Sequence, residues 1–192
     1  MTAVQESTAP ADTIELENVV ASSGVDRELD LQRVADDLEG VEYNPDRFPG
    51  LLYQTTDPKA TSLLFRSGKI VTTGASSIEN VRTAIGIAIA ELETLGIPVP
   101  AEPLITVQNI VASADLGQSL NLNAMAIGLG LEHVEYEPEQ FLGLVYRLDD
   151  PSVVVLFFGS GKVVVTGGKQ PKDAAAAIEA VISRLTELGL FE

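Results

Sequence analysis

The chain has 192 residues, of which 28 are acidic and 12 are basic, giving a formal net charge of −16 at pH 7. The absence of cysteine excludes disulfides, thiolate metal sites and cysteine nucleophiles, and a single histidine argues against histidine metal clusters and catalytic triads. An apolar fraction of 45% indicates a folded chain. No apolar run approaches the roughly 20 residues that span a bilayer, so we expect no membrane segment, and no secretory signal pattern begins the chain.

The acidic residues are spread along the whole chain: residues 1–97 carry 16 acidic and 7 basic residues, and residues 98–192 carry 12 and 5. Taken alone, this charge disfavours nucleic acid as a partner. One interpretation is an ordinary acidic cytoplasmic protein. The other is adaptation to multimolar salt, where dense carboxylates keep a surface hydrated and their repulsion is screened over about 3 Å at 1 M. The scarcity of lysine favours salt adaptation.

An internal duplication organises the chain. Three segments recur 91 to 93 residues later: Asn18–Ser22 as Asn109–Ser113, Glu42–Phe48 as Glu135–Phe141, and Leu63–Gly74 as Leu156–Gly167. The last segment predicts two strands joined by a Ser-Gly turn in each copy. We expect residues 1–12 to be disordered, residues 13–97 and 104–192 to form the two repeats, and the proline-rich residues 98–103 to form a stiff connector.

Each repeat is predicted to have the element order β-α-β-β-β-β-α. The first repeat has predicted strands near residues 14–21, 41–43, 50–55, 61–66 and 69–73 and a short helix over 30–38; the second has strands near 104–112, 134–136, 143–148, 153–158 and 162–166 and a helix over 121–129. A long amphipathic helix closes each repeat. Predicted caps are Asp30 and Asn121 for the short helices, a Ser76-x-x-Glu79 capping box, and Gly96 and Gly189 after the long helices.

This order predicts an α+β fold. Because hairpins join most strands, each sheet is antiparallel with its helices on one face. Two such repeats with a short connector are expected to fuse their sheets into one pseudo-two-fold saddle, a curved antiparallel sheet with the helices on its convex face.

Period-two alternation assigns the strand side chains to two faces, and the helices can cover only one. We assign Val19, Leu51, Leu64 and Ile70, with their copies, to the covered face. The other face, here called the open face, is also apolar and holds no acidic residue in this assignment. Its members are Leu16, Asn18, Val20, Leu52, Gln54, Leu63, Phe65, Lys69, Val71 and Thr73, and then Val107, Asn109, Val111, Val145, Arg147, Val154, Leu156, Phe158, Lys162, Val164 and Thr166.

A large exposed apolar face marks an interaction site. Burial of this face by a second copy, as a homodimer, is one explanation. The threonine, asparagine and lysine residues among the valines and leucines favour a different one, a partly polar partner with phosphates at its margins.

Three long motifs carry a resemblance to a known family: Gln108–Ala112, Glu135–Arg147 and Phe158–Gly167. They resemble the TATA-binding protein family in its archaeal form, over essentially all of residues 13–190, and the acidity resembles that of a halophilic archaeon. The resemblance implies a general transcription initiation factor whose concave sheet face sits in the minor groove of an A·T-rich TATA promoter element and bends the DNA. It implies recruitment of transcription factor B and, through it, RNA polymerase. It also implies a cytoplasmic, nucleoid-associated location and no catalytic residue, cofactor or metal.

The resemblance assigns four kinds of DNA contact. Asn18 and Asn109 donate to adenine N3 and thymine O2, and Thr73 and Thr166 bond to base edges. The apolar floor, which excludes the guanine amino group, consists of Val20, Leu63, Val71, Val111, Leu156 and Val164. The wedges that unstack base steps are two pairs, Phe48 with Phe65 and Phe141 with Phe158. The phosphate contacts are Ser67, Lys69, Arg147, Ser160, Lys162 and Lys169, with Arg47 and Arg66 as further candidates.

The first repeat departs from this pattern, because Gln54 and Ser76 stand at the positions equivalent to Arg147 and Lys169. Fewer neutralised phosphates weaken the electrostatic part of binding and its dependence on salt. We therefore expect DNA binding that tolerates, or even requires, molar KCl.

The resemblance assigns Glu137 and Glu139, on the loop before Phe141, to the docking of transcription factor B. The first-repeat equivalents are Asn44 and Asp46, so this acidic loop is asymmetric and could help to orient the complex on nearly symmetric DNA. The simpler interpretation is a solvated loop.

Two alternatives come from other functional classes. A helix-grip module that binds a small ligand without DNA requires a helix over the Asn18 face, with Phe65 and Phe158 buried. An enzyme is disfavoured, because His133 stands beside Glu132 without a repeat counterpart and no phosphate loop or metal cluster is present.

Overall fold

We describe residues 10–192 from a computed structural model of the chain. Its contacts divide the chain into two compact units: an N-terminal unit, Asn18–Asn109, and a C-terminal unit, which comprises residues 10–17 and Ile110–Glu192. Residues 1–12 were predicted to be disordered, and the first nine of them lie outside the described residues. The last three of these residues belong to a 3-10 turn, Pro10–Thr13, in which the Thr13 hydroxyl donates to the Pro10 carbonyl at 2.7 Å. The predicted boundaries of repeats and connector stay a prediction.

The first repeat has seven elements after this turn. They are β1 (Glu15–Gly24), α1 (Leu31–Asp37), β2 (Val41–Tyr43), β3 (Leu51–Thr56), β4 (Lys59–Leu64), β5 (Lys69–Ala75) and α2 (Ile78–Thr94). All strand pairs of the N-terminal unit are antiparallel, in the order β2-β3-β4-β5-β1.

The second repeat has the same seven elements. They are β6 (Thr106–Asp115), α3 (Leu122–Gly128), β7 (Val134–Glu135), β8 (Leu144–Asp149), β9 (Ser152–Phe157), β10 (Lys162–Gly168) and α4 (Pro171–Glu187). The strand order of the C-terminal unit, β7-β8-β9-β10-β6, is again antiparallel throughout. The predicted α+β class and element order are confirmed, with boundaries that differ by a few residues.

Burial alternates along the strands of the N-terminal unit as the sequence pattern predicts. Val19, Leu51, Leu64 and Ile70 are fully or almost fully buried, and α2 packs against β4 and β5. The helix contributes its predicted apolar stripe, of which Val81, Ile85, Ile89 and Leu92 are buried. Burial, and then the nearby Glu91 carboxylate on α2, raise the pKa of the Tyr53 phenol above its ordinary value.

The C-terminal unit has the same covered face. Leu144, Phe157 and Val163 are buried in one core cluster with Ile178, Val181 and Leu185 of α4, and Ile110 is buried as well. Both units therefore bury the covered face that the two-residue period assigns to the helices.

One polar pair distinguishes the two cores. Ser62 and Thr72 face each other across β4 and β5, are fully buried, and share a hydrogen bond of 2.7 Å between their hydroxyl oxygens. The equivalent pair in the C-terminal unit is Val155 and Val165, also in register and buried. The fold accepts either pair at this core position, because neither leaves a buried polar side-chain atom without a hydrogen-bond partner.

Most of the predicted helix caps are confirmed. Asp30 accepts from the Arg33 amide and Asn121 from the Ala124 amide, both at 3.1 Å. Gly96 and Gly189 follow the long helices with φ of 76° and 68°.

The predicted capping box of the first long helix is wrong by one residue. Ser77, not Ser76, caps α2, accepting from the Asn80 amide at 3.0 Å, because the helix begins one residue later than the Ser-x-x-Glu spacing indicates. The capping box of α4, Gln170 with Asp173, was not predicted, since glutamine is an uncommon N-cap.

A glycine lies in the turn of each predicted β-hairpin, those of Leu63–Gly74 and Leu156–Gly167. Gly68 and Gly161 have φ of 84° and 98°, in the left-handed region that favours glycine. A Cβ added at Gly68 would lie 2.0 Å from the Arg27 carbonyl oxygen, and one at Gly161 would lie 2.2 Å from that of Gln118. Both the backbone conformation and the space at these turns therefore require glycine.

We predict that Gly68→Ala and Gly161→Ala each destabilise the fold by at least about 2 kcal/mol, from left-handed strain and the carbonyl clash. For a chain of this size the loss corresponds to a melting temperature lower by about 4–8 °C, measured by circular dichroism. Gly86→Ala is the control, because Gly86 lies exposed in α2 with no atom within 4 Å of an added Cβ. It should leave the melting temperature unchanged or raise it. Equal melting temperatures for all three variants would contradict the claim that these two turns require glycine.

Candidate nucleic-acid interface

In the N-terminal unit, the side chains predicted for the apolar floor lie next to one another on three strands. Leu63 is directly opposite Leu52 and Val71 in the ladder, and Val71 is opposite Ser22. Val20, Leu63 and Val71 are half-buried, whereas their strand neighbours are buried beneath the helices. The open face of this unit is thus a continuous, partly exposed apolar surface.

A polar cluster at one side of this surface fixes the predicted asparagine. The Asn18 amide nitrogen lies 3.1 Å from the Thr73 hydroxyl oxygen, and the Asn18 carbonyl oxygen accepts from the Gly74 amide at 2.8 Å. The Thr73 hydroxyl can also donate to that carbonyl oxygen, at 3.3 Å. Since the backbone amide holds the carbonyl end, the side-chain NH2 group is oriented and keeps a second hydrogen for another acceptor.

The two predicted phenylalanines of the N-terminal unit form an edge-to-face pair. The rings of Phe48 and Phe65 have centroids 5.9 Å apart and planes inclined by 65°, and both are half-buried. Gly50 makes room for them, because an added Cβ would lie 2.7 Å from the Phe48 ring and 3.2 Å from the Phe65 ring. This role of Gly50 is not among the sequence-based predictions, although a glycine two residues after the phenylalanine in both copies is a usable signal for it.

The hairpin tip beyond Phe65 carries the predicted phosphate contacts. Lys69 is exposed, and its backbone amide points at the Ser67 hydroxyl oxygen, 3.4 Å away. Arg66, a further candidate, forms a long, exposed ion pair with Glu28, at 3.9 Å. Arg47 is exposed, and lines a mainly apolar groove with Glu42, Asn44, Phe48, Leu52 and Leu63.

The open face of the C-terminal unit repeats this arrangement. Leu156 is opposite Val145 and Val164, and Thr166 is opposite Val111 and Val154. All of these side chains are half-buried. Asn109, at the end of the N-terminal unit, is half-buried as well.

The second phenylalanine pair matches the first. Phe141 and Phe158 have ring centroids 5.8 Å apart and planes inclined by 75°, and Phe141 is 42% exposed. A Cβ added at Gly143 would lie 2.6 Å from the Phe141 ring. The same aromatic geometry, with the same glycine beneath it, therefore occurs in both units.

The prediction that the open face holds no acidic residue is wrong. Glu42 on β2 is paired with Leu52, and Glu135 on β7 is paired with Val145, so both carboxylates lie at the edge of the open face. Strands of two or three residues offer too few positions for the alternation to be read from sequence. These two glutamates are residues that the sequence analysis missed.

Glu135 has a direct consequence for Arg147. The Arg147 guanidinium donates to a Glu135 carboxylate oxygen, at 2.8 Å from Nη2 and 3.3 Å from Nε, and both side chains are exposed. Arg147 thus has an acidic partner that a phosphate must displace or share. The first-repeat counterpart of Arg147 is Gln54, an uncharged residue.

The remaining predicted phosphate contacts are exposed. Ser160 and Lys162 repeat the turn geometry of Ser67 and Lys69, with the Lys162 amide 3.3 Å from the Ser160 hydroxyl oxygen. Lys169 precedes α4, and its backbone amide donates to Asp173 at 2.9 Å. The cations therefore lie at hairpin tips and strand edges around the apolar surface of each unit.

The loop that carries Glu137 and Glu139 is exposed and has a tight turn. The amides of Gln140 and Phe141 both donate to the Glu137 carbonyl at 2.9 Å, and the Gln140 side chain bonds to the Glu137 carboxylate. The first-repeat loop has the same turn on Asn44. Leu142 replaces the first repeat's Pro49 and is 78% exposed, a feature that the sequence analysis did not note.

Other kinds of site have little support in the residues from 10 to 192. Within that range, no group of three histidine, cysteine, aspartate or glutamate residues is placed to hold a metal ion. None of the described helices combines the length and apolar character needed to cross a membrane. Phe65 and Phe158 are half-buried rather than buried, which disfavours the helix-grip alternative.

Fold and site together define an α+β protein made of two copies of one unit, each with a partly exposed apolar sheet face edged by cations. The sequence profile described as transcription factor TFIID (or TATA-binding protein, TBP) matches residues 13–95 and 104–188. The chain belongs to the TATA-binding protein family. This family is one of transcription factors, which supports the prediction that the chain is not an enzyme.

Individual relatives agree with this assignment. TATA-box-binding protein 1 of Haloferax volcanii is 66% identical over 184 residues, covering 96% of this chain and 97% of the relative. TATA-box-binding protein E of Halobacterium salinarum is 63% identical over 185 residues, covering 96% and 100%. The solved structure of Methanococcus jannaschii TBP superposes with a TM-score of 0.82 at 50% identity, covering 91% of this chain and 99% of that one. The predicted resemblance to the archaeal, halophilic form of the family is confirmed.

Proposed function

We propose that the chain is a general transcription initiation factor that binds the minor groove of A·T-rich TATA elements, bends the DNA, and recruits transcription factor B and thereby RNA polymerase. The observation that carries this proposal is the pair of open faces, each an apolar surface with a phenylalanine pair at one end and cations at its edge. We place its action on chromosomal DNA in the cytoplasm.

The floor of each open face explains selection for A·T pairs. In the minor groove, A·T and T·A pairs both present only acceptors, whereas G·C adds the guanine amino donor. Val20, Leu63 and Val71 offer that donor no acceptor, so a G·C pair leaves it unpaired. Asn18, held by Gly74 and Thr73, offers an NH2 hydrogen to adenine N3 or thymine O2.

The phenylalanine pairs supply the bend. An apolar ring inserted between two base pairs unstacks them and kinks the duplex, which lets more protein surface meet the groove. Edge-to-face packing fixes each pair before DNA arrives, and the exposed Phe141 is the ring most accessible to a base step.

We predict that a duplex with a central A·T-rich element binds and bends, seen as increased energy transfer between dyes at its two ends. Each A·T pair of the element replaced by G·C should weaken binding about tenfold or more. Phe65→Ala and Phe158→Ala should each weaken binding about tenfold or more, with loss of bending, because contact of an aromatic ring with a base is worth about 1–3 kcal/mol.

Phe191→Ala is the control for this experiment, since Phe191 is half-buried against the core of the C-terminal unit. It should keep both binding and bending, and circular dichroism should confirm that all three variants fold. Binding without any change in energy transfer would refute the bending mechanism. Equal affinity for the A·T and G·C duplexes would refute minor-groove selection.

We predict a weak dependence of affinity on salt. If Lys69, Arg147, Lys162 and Lys169 each neutralised one phosphate, the slope of log K against log [KCl] would be about −3.6. The measured slope should be shallower, because Arg147 exchanges Glu135 for phosphate rather than gaining a new partner. Titrations of the A·T-rich duplex from low to molar KCl measure it.

Restoring the missing cations gives the matched variant. Gln54→Arg with Ser76→Lys reproduces in the first repeat what Arg147 and Lys169 provide in the second, and should steepen the slope by up to about 2. A wild-type slope as steep as that of a basic DNA-binding protein, or a variant with an unchanged slope, would contradict the salt argument.

We predict that Glu139→Lys weakens formation of the ternary complex with transcription factor B about tenfold, with little change in DNA affinity, and that Glu137→Lys acts in the same direction. Both carboxylates are exposed on a loop of fixed backbone, so reversal removes an interaction without disturbing the fold. Asp46→Lys, the same charge change at the equivalent first-repeat position, is the control and should leave the ternary complex intact. Equal loss of DNA binding and ternary complex would refute the assignment.

A further inference from the structure

Two exposed apolar side chains stand apart from the open faces. Five large apolar side chains are exposed among residues 10–192: Leu104, Ile127, Leu131, Phe141 and Leu142. Phe141 and Leu142 belong to the loop already discussed, and Leu104 lies two residues before β6. Ile127, at 81% exposure, lies in the last turn of α3, and Leu131, at 77%, lies in the turn that follows the helix.

These two residues extend into a larger apolar surface. A Cβ added at Gly128, between them in the chain, would lie 3.2 Å from Leu190 and 3.3 Å from Leu188. Both leucines follow α4 and are partly buried against the core. We name Ile127, Leu131, Leu188 and Leu190 the α3 patch. It belongs wholly to the C-terminal unit.

The first repeat shows that the fold does not require this patch. Asp36 and Asp37 of α1 occupy the positions of Ile127 and Gly128, at the offset of 91 residues. They are exposed, and Asp37 pairs with Arg33 at 3.7 Å. The same helix in the same place is thus stable with a charged, solvated surface. An exposed apolar surface at this position, on so acidic a chain, indicates a binding site for a partner.

Charge around the α3 patch indicates what that partner is. Glu132 is exposed beside Gly130, and Glu192 is exposed at the end of the segment that carries Leu188 and Leu190. Glu187 is paired with Arg184 at 3.2 Å, so it adds no net charge of its own. A second copy meeting this patch would bring like charges together, and DNA would be repelled. Apolar side chains flanked by lysine or arginine complement it.

We propose that the α3 patch docks a short amphipathic helix of another protein, with a leucine-rich face and basic residues on both flanks. None of its four residues belongs to the open faces or to the loop of Glu137 and Glu139. It therefore adds a second protein contact to the proposed initiation factor. An apolar surface of this kind takes the apolar face of an amphipathic helix, with Ile127 contributed by the last turn of α3 and Leu131 by the turn that follows it.

The probe is a synthetic helical peptide of about 18 residues with leucines on one face and lysines on its flanks. Methyl NMR of the full chain should show shifts at Ile127 and Leu131 on titration, at the lowest KCl concentration that preserves its circular dichroism spectrum. A peptide with glutamate in place of lysine, and one with serine in place of leucine, should produce neither shift. Shifts at other methyl groups only, or equal shifts with either control peptide, would overturn the proposal.

Ile127→Asp, which copies the residue of the first repeat, should lower the affinity for the lysine-leucine peptide at least about tenfold. Because Ile127 is exposed, the variant should melt like the wild type. Leu104→Asp is the matched control, since Leu104 is equally exposed, at 81%, and the charge change is the same. Loss of affinity in both variants would overturn the proposal. So would sedimentation showing that the wild type self-associates and Ile127→Asp does not, which would assign the patch to a second copy.

Discussion

The two-residue alternation of the strands is the constraint on which the rest of the structure depends. A slip of one residue would exchange the covered and open faces, placing Val19 and Ile70 in water and Asn18 and Lys69 under the helices. The turns at Gly68 and Gly161 oppose such a slip, because each seats its backbone against a neighbouring carbonyl where no side chain fits. The bulges beside Gly74 and Gly167 then shift the register once in each unit, at the same place. Position on the open face is therefore a property of the backbone, and the side chains there are free to serve recognition.

The two units share this backbone and differ in what they present. The C-terminal unit has Arg147, Lys169, an acidic loop and the α3 patch, where the N-terminal unit has Gln54, Ser76, a less acidic loop and a charged α1 surface. Each difference lies at an exposed position, where a substitution has little effect on the fold. Duplication thus gives one stable scaffold and two independent sets of surface chemistry. The two copies therefore present different side chains at equivalent positions of one backbone.

Much of the fold followed from sequence, because strands of six to ten residues with β-branched and apolar alternation carry a strong signal. The helix caps at Asp30 and Asn121 could also be predicted, because each stands just before an apolar stripe of helical period. The failures are local. Ser76 and Ser77 are adjacent candidates, and only the backbone decides between them. Glu42 and Glu135 lie on strands of three and two residues, too short for a period to be read. The Arg147–Glu135 ion pair joins residues 12 apart in the chain that only the β7–β8 pairing brings together. Parity and repetition placed the floor residues on one face, and the family resemblance paired the phenylalanines, whereas the packing roles of Gly50 and Gly143 needed coordinates.

The buried hydroxyls of Ser62 and Thr72 have a consequence for how accurately the two sheets form. A buried valine packs almost as well against another apolar side chain as against a second valine. Val155 and Val165 therefore destabilise a wrong register of β9 and β10 only weakly. Ser62 and Thr72 are hydrogen-bonded to each other in the native register, so another alignment must give each hydroxyl a new partner or leave it unsatisfied in the core. The buried hydrogen bond thus favours the native register of β4 and β5. In β9 and β10, which lack this bond, the register depends more on the turns.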